Sequence, residues 1–122
     1  MTATTKTNKV ILKNQQILGK SFLQFDFIGH LDIEAATVAI EAWKLRAAEQ
    51  SKLNLIYNCL EMSGFDTAAR KLWQATMSEL KIKTGSIWVI SSNAFILGAA
   101  KTMGLLTGYD IKTAKSIENI KP

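Results

Sequence analysis

Leu53 to Leu60 is the segment that most restricts the fold. Its residues, LNLIYNCL, are apolar without a clean alternation, which suits a central strand covered on both faces rather than one with a wet side. Such strands belong to sheets with parallel pairs. Parallel pairs need long crossovers, usually helices, and the chain on either side of this run has helical periodicity. Upstream, Ile33, Ala36, Ile40, Trp43 and Ala47 recur at helical spacing up to about Gln50, with Asp32 placed to cap the first turn. Downstream, Met62 to Asp66 reads as a turn through Gly64. From Thr67 onward Ala69, Leu72, Trp73, Thr76, Met77 and Leu80 form one apolar helical face.

The remaining elements extend this unit in both directions. Lys9 to Lys13 and Ser21 to Ile28 read as strands, with Asn14 to Lys20 as their hairpin connection. In the second strand Phe22, Gln24 and Asp26 point one way and Leu23, Phe25 and Phe27 the other. Gly85 opens a buried strand, Ser86 to Ile90. Ser91 or Ser92 is placed to cap a third helix bearing Phe95, Ile96, Ala99, Ala100 and Met103, with Gly104 as its stop. Tyr109 to Thr113 returns as a short strand, and Lys115 to Ile120 as a terminal helical turn. The expectation is an α/β domain over residues 1–122: a single mixed, mostly parallel sheet covered by about four helices, with residues 1–8 as a flexible tail.

Composition narrows the function classes. A chain of 122 residues with 48% apolar residues suits one core, with no room to frame a deep cleft between domains. The net charge of +5 comes from the two ends, residues 31–80 carrying five bases against seven acids. The lysines are scattered and only two arginines exist, so the charge reads as a solvated surface and not as a nucleic-acid footprint. A single cysteine, Cys59, leaves no internal disulfide. The longest apolar stretch, Ala94 to Ala100, is far short of the roughly 20 residues of a membrane span. Near the N-terminus the Thr- and Lys-rich stretch holds only a three-residue apolar run, Val10 to Leu12, too short for a signal-peptide core. A cytoplasmic protein without a transmembrane segment is expected.

No reaction is written in the side chains. His30 is the only histidine, zinc spacing is absent and the glycines match no phosphate loop or dinucleotide fingerprint, so no metal or cofactor is expected. A Cys–His nucleophilic pair would require the fold to bring Cys59 and His30 together; Cys59 reads as a small buried apolar residue instead. Trp43, Trp73 and Trp88 lie in phase with core faces and read as packing, not as a ligand cage. The most informative piece is Ser63-Gly64-Phe65-Asp66-Thr67-Ala68-Ala69-Arg70. It joins a central strand to an amphipathic helix and sets a hydroxyl at the helix start, where free N–H groups and the helix dipole favour negative charge.

The chain resembles the STAS domain, the fold of the anti-sigma factor antagonists, over most of its length. Gly29-His30-Leu31-Asp32 is similar to that family's G-x-L-D entry into its first helix. Leu55-Ile56-Tyr57-Asn58 leading to Phe65-Asp66-Thr67 is similar to its apolar strand followed by D-S. Ile87 to Ile90, Ala94 to Met103 and Gly104-Leu105 match the following strand, helix and G-L ending. The resemblance implies a non-enzymatic regulatory domain with Thr67 as phospho-acceptor. Its partner, an anti-sigma factor or kinase-like regulator, would be bound through Asn58, Ser63, Gly64, Asp66, Thr67, Arg70 and Lys71. The chain departs from the pattern in having threonine for serine, Ala68-Ala69 for Ser-Gly, and Asn58 where aspartate is common. It also resembles the SpoIIAA-like branch, which implies a second function: a lipid or other small apolar ligand held between helices and sheet, lined by Trp73, Met77, Phe95 and Met103. A homodimer is compatible with either.

Overall fold

Alternation along the second strand sorts the two faces of the sheet in the computed structural model, which describes residues 8–121. β1 (Lys9–Ile17) and β2 (Lys20–Leu31) form an antiparallel hairpin, and β2, β3 (Leu53–Phe65), β4 (Thr84–Ile90) and β5 (Ile111–Ala114) then pair in parallel in chain order. The crossovers are α1 (Ile33–Glu49), α2 (Thr67–Glu79) and α3 (Ala94–Thr107). All three pack on the face that carries Leu23, Phe25, Phe27, Leu55, Tyr57, Cys59, Ile87 and Val89. The opposite face carries Phe22, Ile56, Trp88 and Ile90 and is covered by the C-terminal segment through Ile117 and Ile120. The apolar run in β3 therefore has the covering on both sides that its composition requires.

The expected mixed, mostly parallel α/β sheet is present, with corrections in detail. Three α-helices cover it instead of about four; the last segment makes only a 3-10 turn at Ile117–Asn119, and another follows α2 at Lys81–Lys83. The hairpin connection shrinks to Leu18-Gly19, because Gln15 and Gln16 bond across the strands to Gln24 and Ser21 (both 3.1 Å). Met62 to Asp66 does not turn: β3 continues to Phe65 because Met62, Gly64 and Phe65 pair with Gly29, His30 and Leu31 of β2. Asn93, not Ser91 or Ser92, caps α3, its side chain accepting from the Phe95 and Ile96 N–H groups. Gly104 lies inside α3, where a side chain would come within 3.0 Å of Ile111, and the helix stops instead at Gly108 in the left-handed conformation. Of the expected tail, residues 1–7 lie outside the described residues. Asn8 is held by its side chain, which accepts from the His30 backbone N–H (3.1 Å) and donates to Asp32 (3.3 Å).

The helix-side core is centred on five aromatic rings. Phe25 meets Trp43, Tyr57 and Trp73 edge-on at 5.4–5.5 Å, and Phe27 meets Tyr57 and Trp73 in the same manner. Trp43 and Trp73 are thus core residues, and Trp88 belongs to the other face. Phe25 is fully buried at the centre of this cluster. Phe25→Ala is expected to cost about 3–5 kcal/mol, measured as a lowered midpoint in urea denaturation with an unchanged slope.

Candidate functional site

The parallel register of β2 and β3 builds a small surface at their C-terminal ends. His30 pairs with Gly64 and Leu31 with Phe65, and the Asp66 N–H closes the edge by donating to the Leu31 carbonyl (2.9 Å). A side chain at position 64 would approach His30 Nδ1 to 3.2 Å, so glycine there gives the imidazole its seat. His30 Nε2 then reaches Asp66 Oδ1 at 2.7 Å, with the two side chains 40% and 50% exposed. Asp66 stands at the N-cap of α2, yet its carboxylate makes no capping bond. At α1, by contrast, Asp32 accepts from the Ala35 N–H (2.8 Å). That bond, with another from Asn8, holds the Asp32 carboxyl below its ordinary value.

Around this pair the structure gathers most of the residues expected at a partner surface. Ser63, Thr67 and Lys71 are exposed, Thr67 being the first residue of α2. Gly64 and Arg70 are half-buried, and the Arg70 guanidinium donates to Gln74 (3.3 Å). Asn58 is not brought there. It lies on the opposite face of the sheet, about 25 Å back along β3, donating to Asp26 (2.9 Å). Asp26 also accepts from Gln24 (2.7 Å) and pairs with Lys13 (3.3 Å). Burial alone would raise its carboxyl, but bonds from Gln24, Asn58 and Lys13 outweigh burial and hold it below the ordinary value. The asparagine therefore completes a part-buried polar cluster on that face.

A cavity of about 60 Å³ lies between α2, α3 and the sheet. Phe27, Tyr57, Cys59, Met62, Trp73 and Met103 are among the side chains that border it. Trp73, Met77 and Met103 take the places expected of them; Phe95 does not, being 68% exposed and stacked outside on Phe65 at 5.6 Å. The phenol of Tyr109 donates to the Met77 carbonyl (2.8 Å), tying the end of α2 to the chain beyond α3. The Tyr57 hydroxyl and Trp73 indole nitrogen beside the cavity are buried without hydrogen-bond partners, as is that of Trp43. Each such group costs about 1–3 kcal/mol. Burial raises the Tyr57 phenol well above its ordinary value, and the nearby Trp73 N–H, which does not reach bonding geometry, counters only a small part of that rise. Burial likewise pushes the Cys59 thiol up to about 12, so it is an inert wall group and is not joined to His30.

No family model matches the chain, and no curated protein is similar to it in sequence. Among solved structures it is similar to an uncharacterized protein of the DUF3478 family from Shewanella loihica PV-4, described as having a SpoIIAA-like fold. That match has a TM-score of 0.81 over 97% of this chain and 95% of the other, at 11% identity. The fold is SpoIIAA-like. A second match is the anti-sigma factor antagonist SpoIIAA in its unphosphorylated form, with a TM-score of 0.61, 15% identity, and 88% and 91% of the two chains covered. Among the described residues no helix is long and apolar enough to cross a membrane. Nor does any group of three His, Cys, Asp or Glu side chains converge on a metal position.

Two features of this SpoIIAA-like chain escape sequence reasoning. The His30–Asp66 pair joins residues 36 apart and depends on a register that no local pattern reveals. A polar hollow of about 400 Å³ at the other end of the sheet, between the hairpin and α1, is lined by Gln16, Arg46, Gln50, Lys52 and Asn54. It has the same long-range origin. The Asp26 cluster supplies a pH test. Its folded-state carboxyl is depressed, so its contribution is present above about pH 4 and is lost as pH falls through the folded value. Asp26→Asn is expected to lower stability by about 1–2 kcal/mol at neutral pH. In melts run from neutral to acid pH, its gap to wild type should close below about pH 4.

Proposed function

We propose that this chain is a non-enzymatic, cytoplasmic regulatory module that docks a protein partner through the surface where β3 hands over to α2. Phosphorylation of Thr67 gates the contact. The observation behind this reading is the commitment of the Asp66 carboxylate to His30. It leaves the first-turn N–H groups of α2 without a side-chain acceptor at an exposed helix start, where the dipole favours an anion. A phosphate on Thr67 brings about −1.5 to −2 charge to a position that tolerates it. The domain stays folded and the charge acts on the partner. Ser63, Asp66, Arg70 and Lys71 surround that point and supply polar rim contacts. The likeness to an anti-sigma factor antagonist described in its unphosphorylated form suggests an anti-sigma factor or kinase-like regulator as the partner.

The test is retention from native lysate on immobilised wild type, Thr67→Ala and Thr67→Glu. Wild type and Thr67→Ala are expected to hold the same sigma-regulatory or kinase-like protein, and Thr67→Glu to lose it while melting within a few degrees of wild type. Equal retention by all three would reduce Thr67 to an ordinary first helical residue.

The cavity favours a second reading, a carrier or sensor for a small apolar molecule. At about 60 Å³ it has room for roughly four or five waters' worth of material, so a whole lipid chain enters only if α3 moves. Ala100→Leu, which fills the space from α3, is expected to stabilise an empty domain by about 0.5–2 kcal/mol. If a ligand occupies the cavity instead, native mass spectrometry should show a bound mass on wild type that the variant lacks.

A further inference from the structure

α3, AFILGAAKTMGLLT, is apolar nearly all round, a pattern that normally means a helix buried on every side. Here only Ile96, Gly104 and Thr107 are buried, while Phe95, Leu105 and Leu106 are 68%, 84% and 64% exposed. Residues 95, 98, 102, 105 and 106 fall on one stripe of the helix, opposite the buried Gly104 and Thr107. Between the large residues the stripe carries only Gly98, which has open space in front of it, and Thr102. The outer side of α1 differs: its exposed Val38 and Leu45 are interspersed with Glu34, Glu41 and Lys44. α3 has no acid at all. Its one charge, Lys101, is exposed one turn before Leu105, and Lys81 stands at its C-terminal end, over the Tyr109 ring at 5.9 Å and beside Gly108.

We propose that this outer stripe of α3 seats on an anionic membrane surface. Phe95, Leu105 and Leu106 enter the boundary between headgroups and acyl chains, and Lys101 and Lys81 meet lipid phosphates. The area and the charge select this occupant. A helix of 14 residues is about 21 Å long and about 10 Å wide, a footprint of about 200 Å². A stable protein dimer takes about 800 Å² per partner. A second copy would also bring another +5 against this one. A bilayer needs no matching contour, accepts a narrow apolar stripe, and attracts nearby lysines when its lipids are anionic.

Co-sedimentation of the full chain with vesicles tests the assignment. Vesicles of phosphatidylcholine containing about 30% phosphatidylglycerol carry the required surface charge, and pure phosphatidylcholine vesicles do not. Wild type is expected to pellet with the anionic vesicles and much less with the neutral ones, and raising salt from about 0.1 to about 0.5 M should weaken the association. Leu105→Ser/Leu106→Ser removes apolar surface from positions with few contacts, so its melting temperature should stay near that of wild type. Its partition should fall about tenfold or more. Lys101→Glu should weaken anionic binding severalfold and leave neutral binding as it was. Failure of wild type to pellet with anionic vesicles would overturn the proposal, and so would unchanged partition of the double serine variant. So would a concentration-dependent dimer, seen by sedimentation equilibrium, that the double serine variant abolishes, since a second copy would then cover the stripe.

Discussion

The parallel pairing of β2 with β3 is the constraint on which the rest of the molecule depends. It puts Phe25 and Phe27 beside Tyr57 and Cys59 on one face and Phe22 near Ile56 on the other, so both faces of the central strand have something to bury. It also obliges the chain to cross over through α1, and the same demand repeats at α2 and α3. Slipping that register by one residue would turn the aromatic cluster out into water. At the C-terminal end the same pairing decides that an imidazole sits over a glycine and reaches the residue that starts the next helix.

Elements whose signal is periodic were legible from the residues alone. The alternation in β2, the apolar run in β3, the stripe of α2 and the Asp32 cap all stand where the pattern put them, because each reflects one buried side and a local hydrogen bond. Misreadings came where a local cue met a distant partner. Gly64 looks like a turn, but its glycine serves the approach of His30 within a continuous strand. Gly104 looks like a helix stop, but it is small because Ile111 is packed against it. Asn58 looks like part of the Thr67 neighbourhood in sequence order, and the pleat sends it to the other face to bond Asp26. Asp66 does hold the N-cap position of α2, but its acceptor is used by His30, 36 positions earlier in the chain.

The cavity and the α2 surface share their walls. Phe65 and Arg70 border the cavity and also flank Asp66 and Thr67, and Phe65 stacks on Phe95 at the start of α3. Any occupant that shifts α3 against α2 therefore moves groups at the edge of the surface around Thr67. The unpartnered polar atoms of Tyr57 and Trp73 lie in the same wall, so this part of the core is less fully satisfied than the aliphatic packing of Leu23, Leu55 and Ile87.

The covering of the second sheet face has a consequence for biosynthesis. Ile117 and Ile120 follow every strand in the chain, so they leave the ribosome after the whole sheet has been made. Until then Phe22, Ile56, Trp88 and Ile90 form a bare apolar surface on a sheet whose other side can already be closed by helices. The nascent chain passes through a half-covered intermediate of the kind that attracts chaperones and self-association.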